Sequence, residues 1–478
     1  MSDALSSISG LFVNGGWQMG EGRDVAPVIN PATGDAFAEV PMATAADLDA
    51  ALADAERMFP IWRATDVEAR GAILRKAASL LRERSEAIAV AMTRDQGKVI
   101  AEARGEVLSS AALFDYYAEE AKRSYGRVLV RPTGQRSIVI PQPVGPVAAL
   151  SPWNFPLYLM AKKVAAALAA GCTVIAKPPE ETPACTSALA QCLADAGLPA
   201  GVLSVVFGVP DMISRHLIAS PIIRAVSFTG SVPVGQHLLR LAADGVKRTT
   251  MELGGHAPVL VFDDCDLEKT LDMAVAQKFR NAGQVCVSPT RFYIQQDIYD
   301  AFVAGFAARM AAVTTGDGMD AASRMGPLAN RRRPDAIGAL VDDAVAKGAR
   351  LAAGGERGGT GGYFFSPTLL ADVPDDANVM ANEPFGPLAI ARPFATFDEV
   401  VEQANRLPFG LAAFAFTENG RRANLLGDAI EAGMVGINTF GISGLDTPFG
   451  GVKMSGFGSE GGPEGLAAFM VTKGIHQA

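Results

Sequence analysis

Few residues in this chain combine a reactive side chain with a setting that would let it react. Of five cysteines, Cys172, Cys185, Cys192, Cys265 and Cys286, the last lies in Asn281-Ala282-Gly283-Gln284-Val285-Cys286, after a helix-like run and before an apolar strand. A lone cysteine is more often a small buried hydrophobe than a nucleophile, although loops on rigid scaffolds are where reactive groups gather. Glu252 follows a strand-like run and precedes Leu253-Gly254-Gly255. It reads either as a solvated carboxylate at a strand end or as a general base, and a general base needs burial to lift its pKa towards neutrality. The adjoining glycines admit a substrate or cofactor close to the backbone. Phe228-Thr229-Gly230-Ser231, with Gly235 beyond, closes a strand and opens a helix. This is not the GxGxxG fingerprint, but strand, glycine turn and helix in that order suit a pyrophosphate at a helix N-terminus.

Such residues need a scaffold to bring them together. Between 146 and 251, short apolar runs at 147–150, 173–176, 203–206, 225–228 and 247–251 alternate with helical stretches, which predicts a parallel sheet with crossover helices. A second alternation, from 257 to about 438, has strands near 259–262, 291–294, 388–391 and 412–416. Residues 47–121 are helical in pattern, with Ile73, Leu74, Ala77, Leu80 and Leu81 three and four apart. Runs at 127–131 and 136–142 around Pro132-Thr133-Gly134 read as a hairpin, and 467–476 as one more strand outside both α/β units. Each would be an open sheet edge, which proteins cover or pair. No internal repeat or low-complexity tract interrupts this plan.

The bulk numbers narrow the partners. At 478 residues the chain is too long for one compact core, so two or three domains are expected. A formal charge of −9 and a pI near 5.2 argue against nucleic acid and anionic membranes as partners. No CxxC pair or Cys/His cluster is present, so no metal site is expected. A sparse, odd cysteine count fits a reducing cytosol. The opening MSDALSSISG lacks a basic start and an apolar stretch, and the most apolar run, 164–176, is closed off by Lys162, Lys163 and Lys177. The expectation is a cytoplasmic protein.

Taken in order along the chain, the motifs resemble the aldehyde dehydrogenase superfamily. The matching stretches are Ser151-Pro152-Trp153-Asn154-Phe155-Pro156, Lys177-Pro178-Pro179-Glu180, Phe228–Ser231, Glu252–Gly255, Gly283–Cys286, Glu383-Pro384-Phe385-Gly386-Pro387 and Pro448-Phe449-Gly450-Gly451. The resemblance implies an α/β fold with a Rossmann-like NAD-binding domain over 1–122 and 142–251. It implies an α/β catalytic domain over 252–445 and a small β oligomerisation element over 123–141 and 462–478, hence a homodimer or homotetramer. By the same resemblance, Cys286 attacks the aldehyde carbon, and the oxyanion is held by the Asn154 amide and the Cys286 N–H. Hydride transfer leaves a thioester, and Glu252 activates the water that hydrolyses it. Lys163 and Glu460 match positions that orient the site and relay protons. On the cofactor side, Lys177 and Glu180 match the pair on the adenosine ribose, Ser231, Gly230 and Gly235 the pyrophosphate turn, and Glu383 and Phe385 the nicotinamide ribose, with Trp153 in the same crevice. A carboxylate at Glu180 favours NAD over NADP. His256 and Ser459 depart from the commoner family pattern.

The substrate partner is a small-molecule aldehyde. Arg280 and Lys162 stand where relatives with apolar substrates often carry aromatic residues, and Arg280 and Ser443 resemble the succinate-semialdehyde dehydrogenase group. The substrate residues expected are therefore Arg280, Lys162, Phe155, Ser443 and Phe449, suited to an aldehyde with a distal carboxylate. The alternative is a broad medium-chain or aromatic aldehyde dehydrogenase, its funnel lined by Phe155, Tyr158, Phe114, Tyr117 and Phe449. A non-enzymatic structural relative, or an enzyme passing the acyl group to coenzyme A, fits less well with intact Cys286, Glu252 and Asn154.

Overall fold

The computed structural model describes residues 10–358 and 361–478; the N-terminal stretch read for a leader lies almost wholly outside the described residues. Two sheets, each with its own apolar core, organise the chain. In the first, the strands Val174–Lys177, Val147–Leu150, Ala225–Gly230 and Arg248–Leu253 are parallel neighbours in that order. Leu203–Val205 pairs in parallel on the far side of Val174–Lys177. Strand residues such as Val147, Ala148 and Ala149 are wholly buried, as expected where helices cover both faces of a parallel sheet.

The first sheet also gains strands that the pattern reading does not anticipate. Leu11–Val13 and Gly16–Gln18 form an antiparallel hairpin on its edge. The turn between them is Asn14-Gly15, both at positive φ (50° and 74°), the dipeptide that two-residue hairpin turns favour. At the opposite edge, Gly456–Phe457 pairs antiparallel with Arg248–Leu253.

The second sheet runs Arg350–Ala353, Thr368–Ala371, Leu388–Phe394, Arg291–Gln295, Pro258–Val261, Ala412–Phe416 and Met434–Ile437. All neighbours are parallel except the first pair. The four strands expected here are present; strands at 350–353, 368–371 and 434–437 extend it.

The hairpin forms as Arg127–Val130 and Arg136–Pro143, and Met470–Gln477 adds to it antiparallel over eight residue pairs. This three-stranded sheet projects a weakly covered surface: Val130 is 90% exposed, and Val128, Tyr125 and Ile475 are also exposed. Gly462–Ala467 is a helix, and Leu466 and Phe469 are buried in the core of the first sheet, so the projecting element begins only at Met470. Among the described residues, no helix is long and apolar enough to cross a membrane.

Candidate active site

The parallel strands of the first sheet end on one side, and each delivers a residue there. Trp153 and Asn154 follow Val147–Leu150, Lys177 ends its strand, and Gly230 and Ser231 stand where Ala225–Gly230 gives way to the helix Val232–Asp244. Glu252 lies inside Arg248–Leu253 rather than after it, opposite Gly456. Crevices beyond the carboxyl ends of such strands are the usual ligand sites of open α/β sheets. From the second sheet come two loops that enter neighbouring parallel strands. One carries Cys286 into Arg291–Gln295, and the other carries Glu383 to Pro387 into Leu388–Phe394.

The nucleophile loop is held in an unusual backbone shape. Asn281, Ala282 and Gly283 are consecutively left-handed, with φ of 49°, 52° and 70°. For residues with a Cβ this costs on the order of 1–3 kcal/mol each, so other contacts must hold the turn. Asn281 N donates to Glu102 Oε2 (2.9 Å), its Nδ2 to the Asn154 carbonyl (2.9 Å), and its Oδ1 accepts from Gln96 Nε2 (3.0 Å). At Gly283 a Cβ would stand 2.1 Å from the Gly386 carbonyl oxygen. Only glycine lets the nucleophile loop lie on the 383–387 loop.

Two cavities meet at the thiol. One, of about 330 Å³, is lined by Trp153, Asn154, Gly230, Ser231, Glu252, Cys286, Glu383 and Phe385, among others. The second, of about 180 Å³, is lined by Phe155, Tyr158, Lys162, Arg280, Ser443, Phe449 and Cys286. Cys286, Leu159 and Phe449 belong to both. Although partly open to the cavity, the thiol is ringed by protein. Burial pushes its pKa up to about 12, the Glu383 charge adds to that, and Lys162 opposes it.

Glu252 is 2% exposed, which excludes the solvated strand-end reading. Neither carboxyl oxygen has a hydrogen-bond partner among the described residues. Its pKa stands well above the usual carboxylate range, first through burial and then through the charge of Glu460. Asn154 donates one amide hydrogen to the Gln284 carbonyl (3.0 Å) and has a second to offer the cavity.

The helix Tyr158–Ala170 carries Lys162 and Lys163 side by side. Adjacent helical residues point about 100° apart, and the two lysines accordingly serve different neighbours. Lys163, wholly buried, donates to Thr229 Oγ1 (2.7 Å) and pairs with Glu460. Lys162 turns to the smaller cavity, its ammonium 3.8 Å from the centre of the Phe449 ring and 5.3 Å from that of Tyr158. Burial lowers its pKa. Arg280 sits over the Phe155 ring at 5.2 Å. Neither cation has an ion-pair partner among the described residues.

On the larger cavity's side, Trp153 and Phe385 meet edge-to-face at 5.6 Å. Ser231 precedes the helix Val232–Asp244 without capping it, which leaves first-turn amides for an anion. Glu383 is pushed up to about 8 by burial. Lys177 and Glu180 pair with each other (2.6 Å) on the next strand over, and Glu180 also accepts from Gly208 N (3.0 Å). These residues fit a bound dinucleotide. Two expectations change. Gly235 does not line the cavity; a Cβ there would stand 2.5 Å from Leu253, so its small size serves helix-on-sheet packing. Phe114 and Tyr117 are wholly buried in the core and do not line the funnel. His256 is also buried, its Nε2 against the Val379 carbonyl (2.8 Å), outside both cavities.

Some residues at the site carry no sequence signal. Arg333, from the run Arg331-Arg332-Arg333, lines the larger cavity and donates to the Pro384 and Phe385 carbonyls. Lys98 and Glu106 pair beneath Asn154. Lys278, wholly buried, donates to Ser288 Oγ (3.1 Å), and burial holds its pKa down at about 7. Among the described residues, no group of three or more His, Cys, Asp or Glu side chains could hold a metal ion.

A thiol facing an amide donor, beside an unpartnered buried carboxyl and between two cavities, is equipped for acyl chemistry through a covalent intermediate. The similarities agree. The family model described as the aldehyde dehydrogenase family matches residues 17–475. A 4-(hydroxymethyl)benzenesulfonate dehydrogenase of Comamonas testosteroni is 47% identical over 477 residues, covering 100% of this chain and 99% of that protein. The succinate-semialdehyde dehydrogenase [NADP(+)] of Escherichia coli is 42% identical, over 97% of this chain and 96% of that one. The crystal structure of succinate-semialdehyde dehydrogenase from Burkholderia pseudomallei superposes with a TM-score of 0.98 at 41% identity, over 100% of this chain and 99% of that one. With likeness in sequence and fold along nearly its whole length, this chain belongs to the aldehyde dehydrogenase family.

Proposed function

We propose that this protein oxidises an aldehyde bearing a distal anion, such as succinate semialdehyde, to the carboxylic acid, with NAD as the preferred oxidant. The observation that carries the reading is the smaller cavity. It ends at Cys286 and holds two cations, Lys162 and Arg280, without ion-pair partners among the described residues. An uncharged aldehyde gains nothing from them.

Cys286 attacks the carbonyl carbon, and the oxyanion forms within reach of the Asn154 amide and the Cys286 N–H. Lys177 and Glu180 would hold the adenosine ribose of a nicotinamide dinucleotide, Gly230 and Ser231 its pyrophosphate, and Glu383 its nicotinamide ribose, with Trp153 and Phe385 alongside; the group would supply the hydride acceptor. Glu252 then takes a proton from the water that attacks the Cys286 thioester. Lys163 and Glu460 pass that proton outward.

A charge-assisted hydrogen bond contributes roughly 1.5–3 kcal/mol, and about 1.4 kcal/mol is tenfold. Succinate semialdehyde is therefore expected to exceed butanal by about one to two orders of magnitude in kcat/KM. Arg280→Ala removes most of that advantage and spares butanal. Slowing of both substrates alike would make Arg280 structural. A second reading places the anion on an aromatic ring. It is supported by the Phe155, Tyr158 and Phe449 rings around the same cavity and by the relative named for a benzenesulfonate. Comparing 4-formylbenzenesulfonate with succinate semialdehyde decides between the two.

A further inference from the structure

Below Asn154 lies a buried ion pair, one member of which, Glu106, reaches the wall of the smaller cavity. Lys98 precedes the helix Ile100–Glu120 and Glu106 lies within it; they are 1% and 5% exposed, and their charged groups are 2.5 Å apart. Burying two charges is costly, and a buried pair is weak evidence of added stability. What this pair touches is more informative.

Lys98 Nζ donates to the main-chain carbonyl of Asn154 at 2.8 Å. Glu106 Oε1 accepts from the backbone N–H groups of Leu157 and Tyr158, at 3.0 and 3.1 Å. Those amides open the helix Tyr158–Ala170, which has no side-chain cap of its own. A carboxylate there satisfies orphan donors and meets the positive end of the helix dipole. The Lys98 ammonium also stands 4.2 Å from the centre of the Phe155 ring. Between them the two charges grip both ends of the short segment from Asn154 to Tyr158. That segment carries the side-chain donor for the oxyanion and starts the helix bearing Lys162 and Lys163.

We propose that Lys98 and Glu106 are positioning residues for acylation, acting through Asn154: the pair fixes the backbone that aims the Asn154 amide at the oxyanion. This rests on the role of Asn154 given above. A donor displaced by about 1 Å can cost on the order of a hundredfold, so small losses of this grip are expected to register in rate.

The test uses Lys98→Met/Glu106→Gln. It removes both charges together, and its glutamine keeps an acceptor for the two amides, so neither member of the pair is left as an unpaired buried charge. Two rates are measured on Cys286: the NADH burst with aldehyde, which passes through an oxyanion, and alkylation by iodoacetamide, which does not. The expected result is a burst slowed about tenfold to a hundredfold, with alkylation rate and NAD affinity within about twofold of the unmodified protein. Lys98→Arg keeps the charge but changes the reach, and it is expected to give the same split if the double variant cannot be purified. Equal slowing of both rates, or an unchanged burst, overturns the proposal. Asn154→Ala run in parallel separates the two readings. If it does not slow the burst, the oxyanion role of Asn154 fails, whatever the pair does.

Discussion

At the residue scale, the predictions turn on Cys286 and Glu252, two groups whose pKa burial raises. Cys286→Ala is expected to abolish turnover while leaving NAD affinity intact, because the thiol forms the adduct but does not bind the dinucleotide; residual aldehyde oxidation above background sinks the assignment. Glu252→Gln should keep a first-turnover burst of NADH and lose steady-state rate by about a hundredfold or more, since acylation precedes water activation. Loss of the burst as well would give Glu252 a different job. The raised Cys286 pKa has a definite sign. With the thiol pushed up to about 12, thiolate is the minority form at neutral pH and grows about tenfold per pH unit. Iodoacetamide alkylation of the cofactor-free protein should therefore still be climbing at pH 9, past the ordinary thiol value of about 8.5. A plateau near pH 7 would show a thiolate already stabilised.

Elements decide which of these residues meet. The helix Tyr158–Ala170 sends Lys162 to the smaller cavity and Lys163 to Thr229 and Glu460 because neighbours on a helix diverge, a split that a motif alone does not reveal. The three-stranded sheet of Arg127–Val130, Arg136–Pro143 and Met470–Gln477 has two open edges and exposed Val128 and Val130. We propose that it is covered by another copy of this chain, as dimer or tetramer. Ending the chain after Phe469 removes the outer strand and keeps Leu466 and Phe469 in the core. Light scattering on that truncation should report a smaller assembly; an unchanged mass removes the strand from the interface.

On the scale of the whole molecule, the carboxyl ends of one sheet face the loops that enter the strands of the other, and the two cavities lie between them. Cofactor choice belongs to this scale, because Lys177 and Glu180, the pair proposed to hold the adenosine ribose, lie at the end of a neighbouring strand. Glu180 can accept hydrogen bonds from ribose hydroxyls, whereas a 2′-phosphate brings negative charge against it. We expect kcat/KM to favour NAD over NADP, and Glu180→Ser to narrow the gap. Equal efficiency with both cofactors in the unmodified protein would mean that Glu180 stays with Lys177 and Gly208 and never meets the ribose.

The order of motifs along the chain determined the family and the α/β plan by itself, because glycine turns, apolar runs and the Cys286 loop are local features written in consecutive residues. The Asn14-Gly15 hairpin carries a local turn signal as well, but the pattern reading does not anticipate it. Tertiary structure alone decided what burial and long-range contact decide. It set Lys98 and Glu106 under Asn154, brought Arg333 to the 383–387 loop, sent Phe114 and Tyr117 into the core and turned Gly235 against Leu253. A charged residue in sequence reads as surface, since most are. Only the fold, by bringing residues dozens to hundreds of positions apart within a few ångströms, shows which charges are buried and what each one holds.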